Sequence, residues 1–244
     1  MTKAIEVVNL TKKYKDKVAV DQFSLTIEDG ELLALLGVNG AGKTTLINML
    51  SCITEPSTGD AFLFGNSIKT AAQKVKKVIA VSPQETAIAP NLTVLENLKL
   101  MAGLYGFSRE EVEQKIEKVM EQLSLQEVKH QKSKTLSGGW KRRLSIGMAL
   151  ISEPRILFLD EPTLGLDILA RRELWTSILS LKGSTTIILT THYLEEAVTL
   201  SDRICIIKDG QMKALGSAKE LVNKTGTSNF EDAFVQYVTK GDTK

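Results

Sequence analysis

The segment at residues 37–45 has the residue types and spacing needed to bind a polyphosphate. It consists of Gly37, Val38, Asn39, Gly40, Ala41, Gly42, Lys43, Thr44 and Thr45. An apolar run precedes it at Leu32–Leu36 and an apolar helical pattern follows at 46–50, so successive backbone N–H groups and a helix N-terminus can face phosphate oxygens. The pattern predicts that Lys43 reaches the terminal phosphates and Thr44 ligates Mg²⁺, the alternative being a glycine turn with a chance lysine.

Two adjacent acidic residues could complete such a site. Asp160 and Glu161 directly follow an apolar run at 156–159. Parallel α/β proteins bind ligands at the carboxyl ends of their strands, which is where this pair would lie. We expect Asp160 to hold Mg²⁺, directly or through water, and Glu161 to polarise an attacking water as a general base. The alternative is that both acids cap the following helix.

The elements that must position these residues follow from hydrophobic patterning. Three runs are apolar at consecutive positions, as in a parallel sheet covered on both faces: Leu32–Leu36, 156–159 and 186–189. Three more polar segments separated by turn residues predict a small antiparallel sheet beside it: 5–10, 19–27 and 60–64. The expected fold class is α/β, with a mostly parallel P-loop NTPase core and an N-terminal antiparallel β subdomain.

The middle of the sequence changes to a helical pattern. Between Leu92 and Ile151 a capping box at 108–111 opens a helix with one apolar face. We therefore expect an α-helical subdomain inserted at about 86–152. Residues 208–211 predict a hairpin turn and residues 229–238 a last helix. The domain prediction is one domain at 1–225, followed by a short helical tail at 226–244.

Composition limits the partners and the compartment. The 244 residues include 31 basic and 29 acidic side chains, a net charge of +2 that provides no general attraction for nucleic acid. No apolar run approaches the roughly 20 residues that cross a bilayer, and Glu6 stands where a signal peptide would be apolar. Cys52 and Cys205 match no metal-binding spacing, so we expect both to be reduced and buried in a cytoplasmic protein.

A second glycine-containing segment narrows the interpretation. It consists of Leu136, Ser137, Gly138, Gly139 and Trp140, followed by Lys141, Arg142 and Arg143. This segment resembles the signature of ATP-binding-cassette (ABC) proteins, and the resemblance extends over nearly the whole chain. It implies that Ser137, Gly138 and Gly139 bind the γ phosphate of ATP held by a facing subunit. Ser137 is also a suitable N-cap for a helix whose amides face an anion.

Trp140 departs from the family pattern, which usually has glutamine there. The bulky indole makes the contacts of that glutamine harder to transfer to this chain. We expect Trp140 to anchor an interface or the core without binding nucleotide. Ser137 and both glycines remain, so the departure does not indicate loss of function.

Four further positions match the family in order and spacing. Tyr14 resembles the aromatic residue that stacks on adenine, and Gln84 the glutamine that contacts Mg²⁺ and senses the partner. Asp167 resembles the residue that couples the two sites, although Ile168 replaces the usual proline. His192 resembles the switch histidine that binds the γ phosphate. The resemblance therefore implies a catalytic set that consists of Lys43, Gln84, Glu161 and His192.

The resemblance also implies partners. Two subunits would enclose two ATP in a C₂ arrangement, and hydrolysis would reopen the dimer. The sequence is most similar to ATPase subunits of bacterial ABC-2 exporters, which lie on the inner face of the cell membrane and drive separate permeases. The apolar segment 86–92, directly after Gln84, is a candidate docking groove for a permease helix, with Ile88 as its test position; an ordinary buried loop is the alternative.

Other functions remain open at this point. An ABC importer subunit would share every motif, and the transported substrate cannot be inferred because no residue of this chain would meet it. A soluble ABC ATPase that acts on DNA or ribosomes would carry a long coiled-coil insertion or a second cassette, and neither is present in the sequence. A small-molecule kinase would lack the signature, Gln84 and His192.

Overall fold

The computed structural model describes residues 2–239, and at its centre lies a six-stranded sheet in the order β10-β9-β3-β8-β7-β6. All neighbouring strands are parallel except β9 and β10. The strands are β3 (Leu32–Leu36), β6 (Ile79–Ser82), β7 (Ile156–Asp160), β8 (Thr186–Thr191), β9 (Arg203–Lys208) and β10 (Gln211–Gly216). Every residue of β3, β7 and β8 is buried, which confirms the predicted parallel sheet covered on both faces.

A separate antiparallel sheet packs beside this one. Its order is β2-β1-β4-β5, and its strands are β1 (Lys3–Tyr14), β2 (Lys17–Glu28), β4 (Thr58–Leu63) and β5 (Asn66–Ser67). The predicted N-terminal antiparallel sheet is confirmed, with longer first strands than the sequence indicated. The amide of Asp21 donates to the Gly210 carbonyl at 2.9 Å, which ties the two sheets together near the hairpin of β9 and β10.

The helices cover both faces of the parallel sheet. They are α1 (Lys43–Leu50), α2 (Ala72–Lys76), α3 (Val94–Leu104), α4 (Arg109–Gln122), α5 (Gly138–Leu150), α6 (Ile168–Leu179), α7 (Leu194–Leu200), α8 (Ala218–Thr225) and α9 (Phe230–Thr239), with short 3₁₀ turns at Gln126–Val128 and Ser133–Thr135. Within residues 2–239, no helix combines the length and hydrophobicity that crossing a membrane requires. Residues 240–244 of the predicted tail lie outside the described part.

Helices α3, α4 and α5 form the helical region that the sequence predicted. Capping boxes at Thr93 and Ser108 open α3 and α4, and each such cap contributes about 1 kcal/mol. A Cβ atom at Gly147 on α5 would lie 3.0 Å from the Val119 side chain, so the glycine permits close packing of α4 on α5. Asn97 on α3 is fully buried and bonds both the amide and the carbonyl of Ala89, which fixes the segment after Gln84 to this region.

The C-terminal part of the sheet also follows the sequence pattern. Lys208 pairs with Gln211 across the predicted hairpin, and the two turn residues, Asp209 and Gly210, both have positive φ, as a two-residue type I′ turn requires. Cys205 on β9 is buried as expected, whereas Cys52 is only partly buried, so the prediction of a buried thiol is wrong there. Cys52 lies in the turn after α1, where packing covers one side.

Glu196 lies on α7, and its fully buried carboxyl contacts Trp175 on α6. Its Oε1 accepts a 3.1 Å hydrogen bond from the Trp175 indole. Burial raises the pKa of Glu196 above its ordinary 4.5, and the charge of Glu161 adds to this, while Trp175 and the hydroxyls of Thr191 and Thr163 oppose it. The folded chain therefore holds the Glu196 proton more tightly than the unfolded chain does.

This pKa shift predicts that Glu196→Gln stabilises the folded chain in a pH-dependent way, because the glutamine amide resembles the protonated carboxyl. A raised pKa contributes stability that is present below 4.5 and lost as pH rises through the folded value. We expect a higher midpoint of thermal unfolding for Glu196→Gln at pH 8, measured by circular dichroism, with the difference shrinking toward pH 5. Glu195→Gln, at the exposed neighbouring position, is the control. A lower midpoint for Glu196→Gln at pH 8 would contradict the assignment.

Candidate nucleotide-binding site

The predicted nucleotide-binding residues line a cleft at the carboxyl ends of the central strands. The cleft has a volume of about 450 Å³. Its walls include most of the predicted site residues: Tyr14, Asn39, Gly40, Ala41, Gly42, Lys43, Thr44, Thr45, Gln84, Glu161 and His192. Residues from five separate parts of the chain thus meet at one sheet edge, as parallel strands permit.

Two glycines of the glycine-rich loop lie so close to neighbouring backbone carbonyls that no side chain would fit there. Gly42, the residue before α1, has φ 108°, and a Cβ atom there would lie 2.4 Å from the Ala19 carbonyl oxygen. A Cβ at Gly37 would lie 2.3 Å from the Ile207 carbonyl oxygen. No side chain caps the N-terminus of α1, so its first amides face the cleft without a side-chain acceptor. This cradle fits a bound phosphate.

Lys43 carries a buried positive charge into the cleft. Its Nζ donates to the Gly37 carbonyl at 2.6 Å and to the Val38 carbonyl at 3.4 Å. The same atom lies 3.4 Å from Glu161 Oε1. Gly37 and Val38 therefore position the lysine through their carbonyl oxygens and do not line the cleft themselves.

Thr44 and Asp160 place oxygen atoms side by side. Thr44 Oγ1 lies 3.3 Å from Asp160 Oδ2. A hydroxyl and a carboxylate suit Mg²⁺, which usually takes few protein ligands when phosphates and water supply the rest. Among residues 2–239 there is no cluster of three His, Cys, Asp or Glu side chains that could hold a metal alone. The donor set thus fits a magnesium ion that arrives with a polyphosphate.

Glu161 has an unusual backbone, with φ 46°. Its amide donates to the Thr190 hydroxyl at 3.0 Å and to the Thr190 carbonyl at 3.2 Å. The same hydroxyl donates to Asp160 Oδ1. Thr190 on β8 therefore holds in place both Asp160, the last residue of β7, and Glu161, which follows it, a role that the sequence analysis missed. The signal was a polar side chain inside a fully buried strand.

His192 continues from the same strand. Its Nδ1 lies 2.8 Å from Glu161 Oε2, and its side chain remains partly exposed toward the cleft. The Tyr193 ring packs against the imidazole with centroids 4.1 Å apart. Glu161 thus stands between Lys43 and His192, with one carboxylate oxygen facing each.

Tyr14 and Gln84 lie on two sides of the cleft. Tyr14 ends β1 and is exposed, with the Lys12 ammonium 5.1 Å from its ring centroid. An exposed ring at the cleft edge can stack on a planar base. Gln84 lies in the loop that follows β6, and its side chain is also exposed.

Besides Gly37, Val38 and Asp160, which lie directly behind lining residues, the predicted site residues that do not line this cleft are Ser137, Gly138, Gly139 and Asp167. Ser137 occupies the N-cap position of α5, but its side chain makes no capping hydrogen bond. Asp167 accepts from the amides of Leu169 and Ala170 and thereby caps α6. A Cβ at Gly139 would lie 3.0 Å from the Ala170 side chain, so the signature packs closely on α6.

Trp140 is partly buried against the core of the helical region. The Arg143 guanidinium lies 4.7 Å from its ring centroid, a cation–π contact. The indole therefore serves as a packing anchor at the start of α5, in line with the expectation from the sequence.

The fold and cleft define an α/β protein of the P-loop NTPase class. Residues 20–164 match the family model described as ABC transporter. The chain is 42% identical over 226 residues to ABC transporter A family member 2 of Dictyostelium discoideum, covering 91% of this chain and 14% of that protein. It is 38% identical over 224 residues to Nod factor export ATP-binding protein I of Cupriavidus metallidurans, covering 91% and 74%.

A solved structure agrees with these relatives. The dimeric, post-hydrolysis state of the ATP-binding cassette MJ0796 bound to ADP and Pi superposes with a TM-score of 0.77 at 26% identity, over 87% of this chain and 98% of that one. The chain spans 9 to 14% of the length of the A-family relatives it matches. This chain belongs to the ABC transporter family.

Thr190→Val removes the hydroxyl that joins β7 to β8 while keeping the side-chain volume. We expect the turnover of ATP hydrolysis to fall about tenfold, because Glu161 loses an acceptor and Asp160 a donor, with ATP binding in EDTA unchanged. Thr186→Val is the matched control, since Thr186 is a buried threonine of the same strand that accepts from Gly30 instead. Equal loss of turnover in both variants would show that general destabilisation is responsible.

Proposed function

We propose that this chain is the ATP-binding and ATP-hydrolysing subunit of an ABC exporter that drives a separate membrane permease. The observation that carries the proposal is the meeting of Lys43, Thr44, Glu161 and His192 in one cleft, with Asp160 in contact with Thr44. Phosphoryl transfer to water needs placement and charge stabilisation more than covalent chemistry, and these side chains provide both.

The proposal assigns the residues of the cleft to phosphate binding, base stacking, metal binding and water activation. The loop amides and Lys43 hold the β and γ phosphates, and Tyr14 stacks on adenine. Thr44, Asp160 and Gln84 would hold Mg²⁺, which would neutralise charge that develops on the phosphates. Glu161 accepts a proton from the attacking water as it orients that water.

His192 orients Glu161 and the γ phosphate. Its 2.8 Å contact with Glu161 Oε2 leaves Oε1 next to Lys43. One carboxylate oxygen is thereby held by the imidazole and the other faces the phosphate-binding lysine. Positioned general bases contribute about 10² to 10⁴ in rate.

A nucleotide-sandwich dimer would complete each site. Ser137, Gly138 and Gly139 do not line the cleft of their own chain, so the proposed phosphate contacts require a second subunit with its Asp167 at the interface. Ile168 and Leu169 beside Asp167 are 66% and 74% exposed, and apolar surface of this kind favours burial against a partner. The dimeric state of the similar cassette MJ0796, bound to ADP and Pi, supports a dimer of this chain as well.

Export is supported by the relative named Nod factor export ATP-binding protein I, and further subunits are supported by a similar solved structure that is part of the ABC transporter complex cbiONQ. In this proposal the subunit lies on the inner face of the cell membrane and has no nucleic-acid partner.

The proposed domain division is a nucleotide-binding domain at 1–225, with its helical insertion at about 86–152, and a tail at 226–244.

The proposed docking surface extends beyond the segment at 86–92 that the sequence suggested. Ile88 is partly buried and packs against the core of the helical region, so only part of its side chain remains accessible to a partner. Beside it lies a groove of about 290 Å³ lined by Pro83, Ala87, Met101, Tyr105 and Met148, among others. Leu104, which precedes the lining residue Tyr105 in the chain, is 73% exposed. We assign the docking surface, defined as this groove together with Leu104, to a cytoplasmic helix of the permease, because Pro83 in the groove is the residue before Gln84.

Glu161→Gln should abolish hydrolysis while preserving ATP binding. We expect phosphate release to fall by about 10² to 10⁴, and size-exclusion chromatography with ATP and Mg²⁺ to detect an ATP-dependent dimer. Glu153→Gln, in a surface ion pair with Lys118, is the control and should behave like the wild type.

Two results would contradict this proposal in different ways. Hydrolysis by Glu161→Gln at the wild-type rate would refute the assignment of Glu161 as the base. A variant without activity that stays monomeric with ATP would refute dimerisation by the isolated subunit.

Leu104→Asp tests the docking surface. We expect the chain to be lost from the membrane fraction of its native cells on sedimentation, because a charge enters an apolar contact, while hydrolysis by the purified subunit is unchanged. Ile53→Asp is the matched control, since Ile53 is 65% exposed after α1 and does not belong to the docking surface. Undiminished sedimentation of Leu104→Asp with the membranes would refute the docking surface.

A further inference from the structure

Arg142 lies on the first turns of α5, three residues after Gly139, and its side chain is buried. Its guanidinium donates to three backbone carbonyls. Nη1 bonds the Pro83 oxygen at 2.5 Å and the Gln84 oxygen at 3.2 Å, and Nη2 bonds the Asp160 oxygen at 2.7 Å. One side chain from the signature helix thus reaches the loop after β6 and the end of β7.

A buried guanidinium needs compensation for lost hydration. Burial lowers the pKa of Arg142 to about 10, and the nearby carboxylates of Asp160, Glu196 and Glu161 oppose that decrease. The side chain therefore stays charged at neutral pH. Its Nε finds no hydrogen-bond partner within residues 2–239, so the three carbonyl bonds carry the compensation, and such charge-assisted bonds are directional.

The bonded carbonyls belong to the peptides that place two catalytic candidates. The Gln84 carbonyl fixes the residue proposed to bind Mg²⁺. The Asp160 carbonyl belongs to the peptide whose amide is that of Glu161, the residue with φ 46°. Arg142 therefore holds one side of the Asp160–Glu161 peptide while Thr190 holds the other.

The adjacent Arg143 is equally buried but points elsewhere. It pairs with Glu173 on α6 and lies over the Trp140 ring. Neither contact touches the cleft. The two arginines thus provide a natural comparison between a contact that reaches the site and one that only packs helices.

We propose that Arg142 is a positioning residue that ties the signature helix of each subunit to its own Gln84 loop and to the Glu161 peptide. Any displacement of α5 is then transmitted through one guanidinium to both the metal-binding and the water-activating residues. The proposal deepens the ATPase function proposed above and rests on it for the roles of Gln84 and Glu161.

The test compares Arg142→Met, Arg142→Lys and the control Arg143→Met in the full chain. Hydrogen exchange of amides 84–87 without nucleotide measures whether the loop is held, and we expect it to rise about tenfold in Arg142→Met. Arg142→Lys keeps the positive charge but cannot bond all three carbonyls at once, so hydrogen exchange should rise less than in Arg142→Met. Arg143→Met should match the wild type in this segment.

Kinetics provide the second measurement. Turnover of ATP hydrolysis should fall about tenfold in Arg142→Met, while the Kd for ATP in EDTA stays constant, because the glycine-rich loop is untouched. Unchanged exchange at 84–87 in the Arg142 variants, or an equal rise in Arg143→Met, would overturn the proposal. If Arg142→Met does not fold, Arg142→Lys decides by the same exchange criterion. If the wild-type chain does not hydrolyse ATP, the proposed function is refuted. The hydrogen-exchange result would still decide whether Arg142 holds the Gln84 loop.

Discussion

The arrangement of the cleft depends on one hydrogen-bonded junction, where the end of β8 holds the end of β7. The Thr190 hydroxyl accepts from the Glu161 amide and donates to Asp160. A left-handed backbone at a residue other than glycine costs about 1 to 3 kcal/mol and persists only when its surroundings hold it. Because β7 and β8 are parallel neighbours, His192 then emerges beside Glu161. The strained residue is Glu161, whose left-handed backbone turns its acidic side chain into the cleft.

Buried polar side chains set geometry at the other junctions of the molecule. The apolar layers on both faces of the sheet provide stability, but dispersion and hydrophobic contacts are not directional. Asn97 bonds Ala89, Glu196 bonds Trp175, and Arg142 bonds three carbonyls. Each of these side chains connects a loop or helix near the cleft to a neighbouring element. Directional polar contacts therefore fix these elements relative to one another.

The chain contains two kinds of proposed phosphate-binding surface that do not meet. The glycine-rich loop opens into the cleft, while the signature at the N-terminus of α5 packs on α6 away from it. This separation is the structural reason for proposing a second subunit. Arg142 joins the signature helix to the Gln84 loop and to the Asp160–Glu161 peptide of the same chain. In the proposed dimer, closure on the signature would therefore be transmitted to Glu161 and Gln84.

Much of this was determined by the sequence alone, because the signals were local. The glycine-rich loop between an apolar strand and a helix, the acidic pair at a strand end and the capping box at Ser108 are read from neighbouring residues. The role of Thr190 and the packing of Ile88 were decided only by the tertiary structure. Thr190 acts on residues 29 and 30 positions away, and their contact depends on β8 lying between β3 and β7, an order that differs from the order of the strands along the chain. Ile88 belongs to a segment without periodicity, so only the buried Asn97 contacts decide which side faces the core.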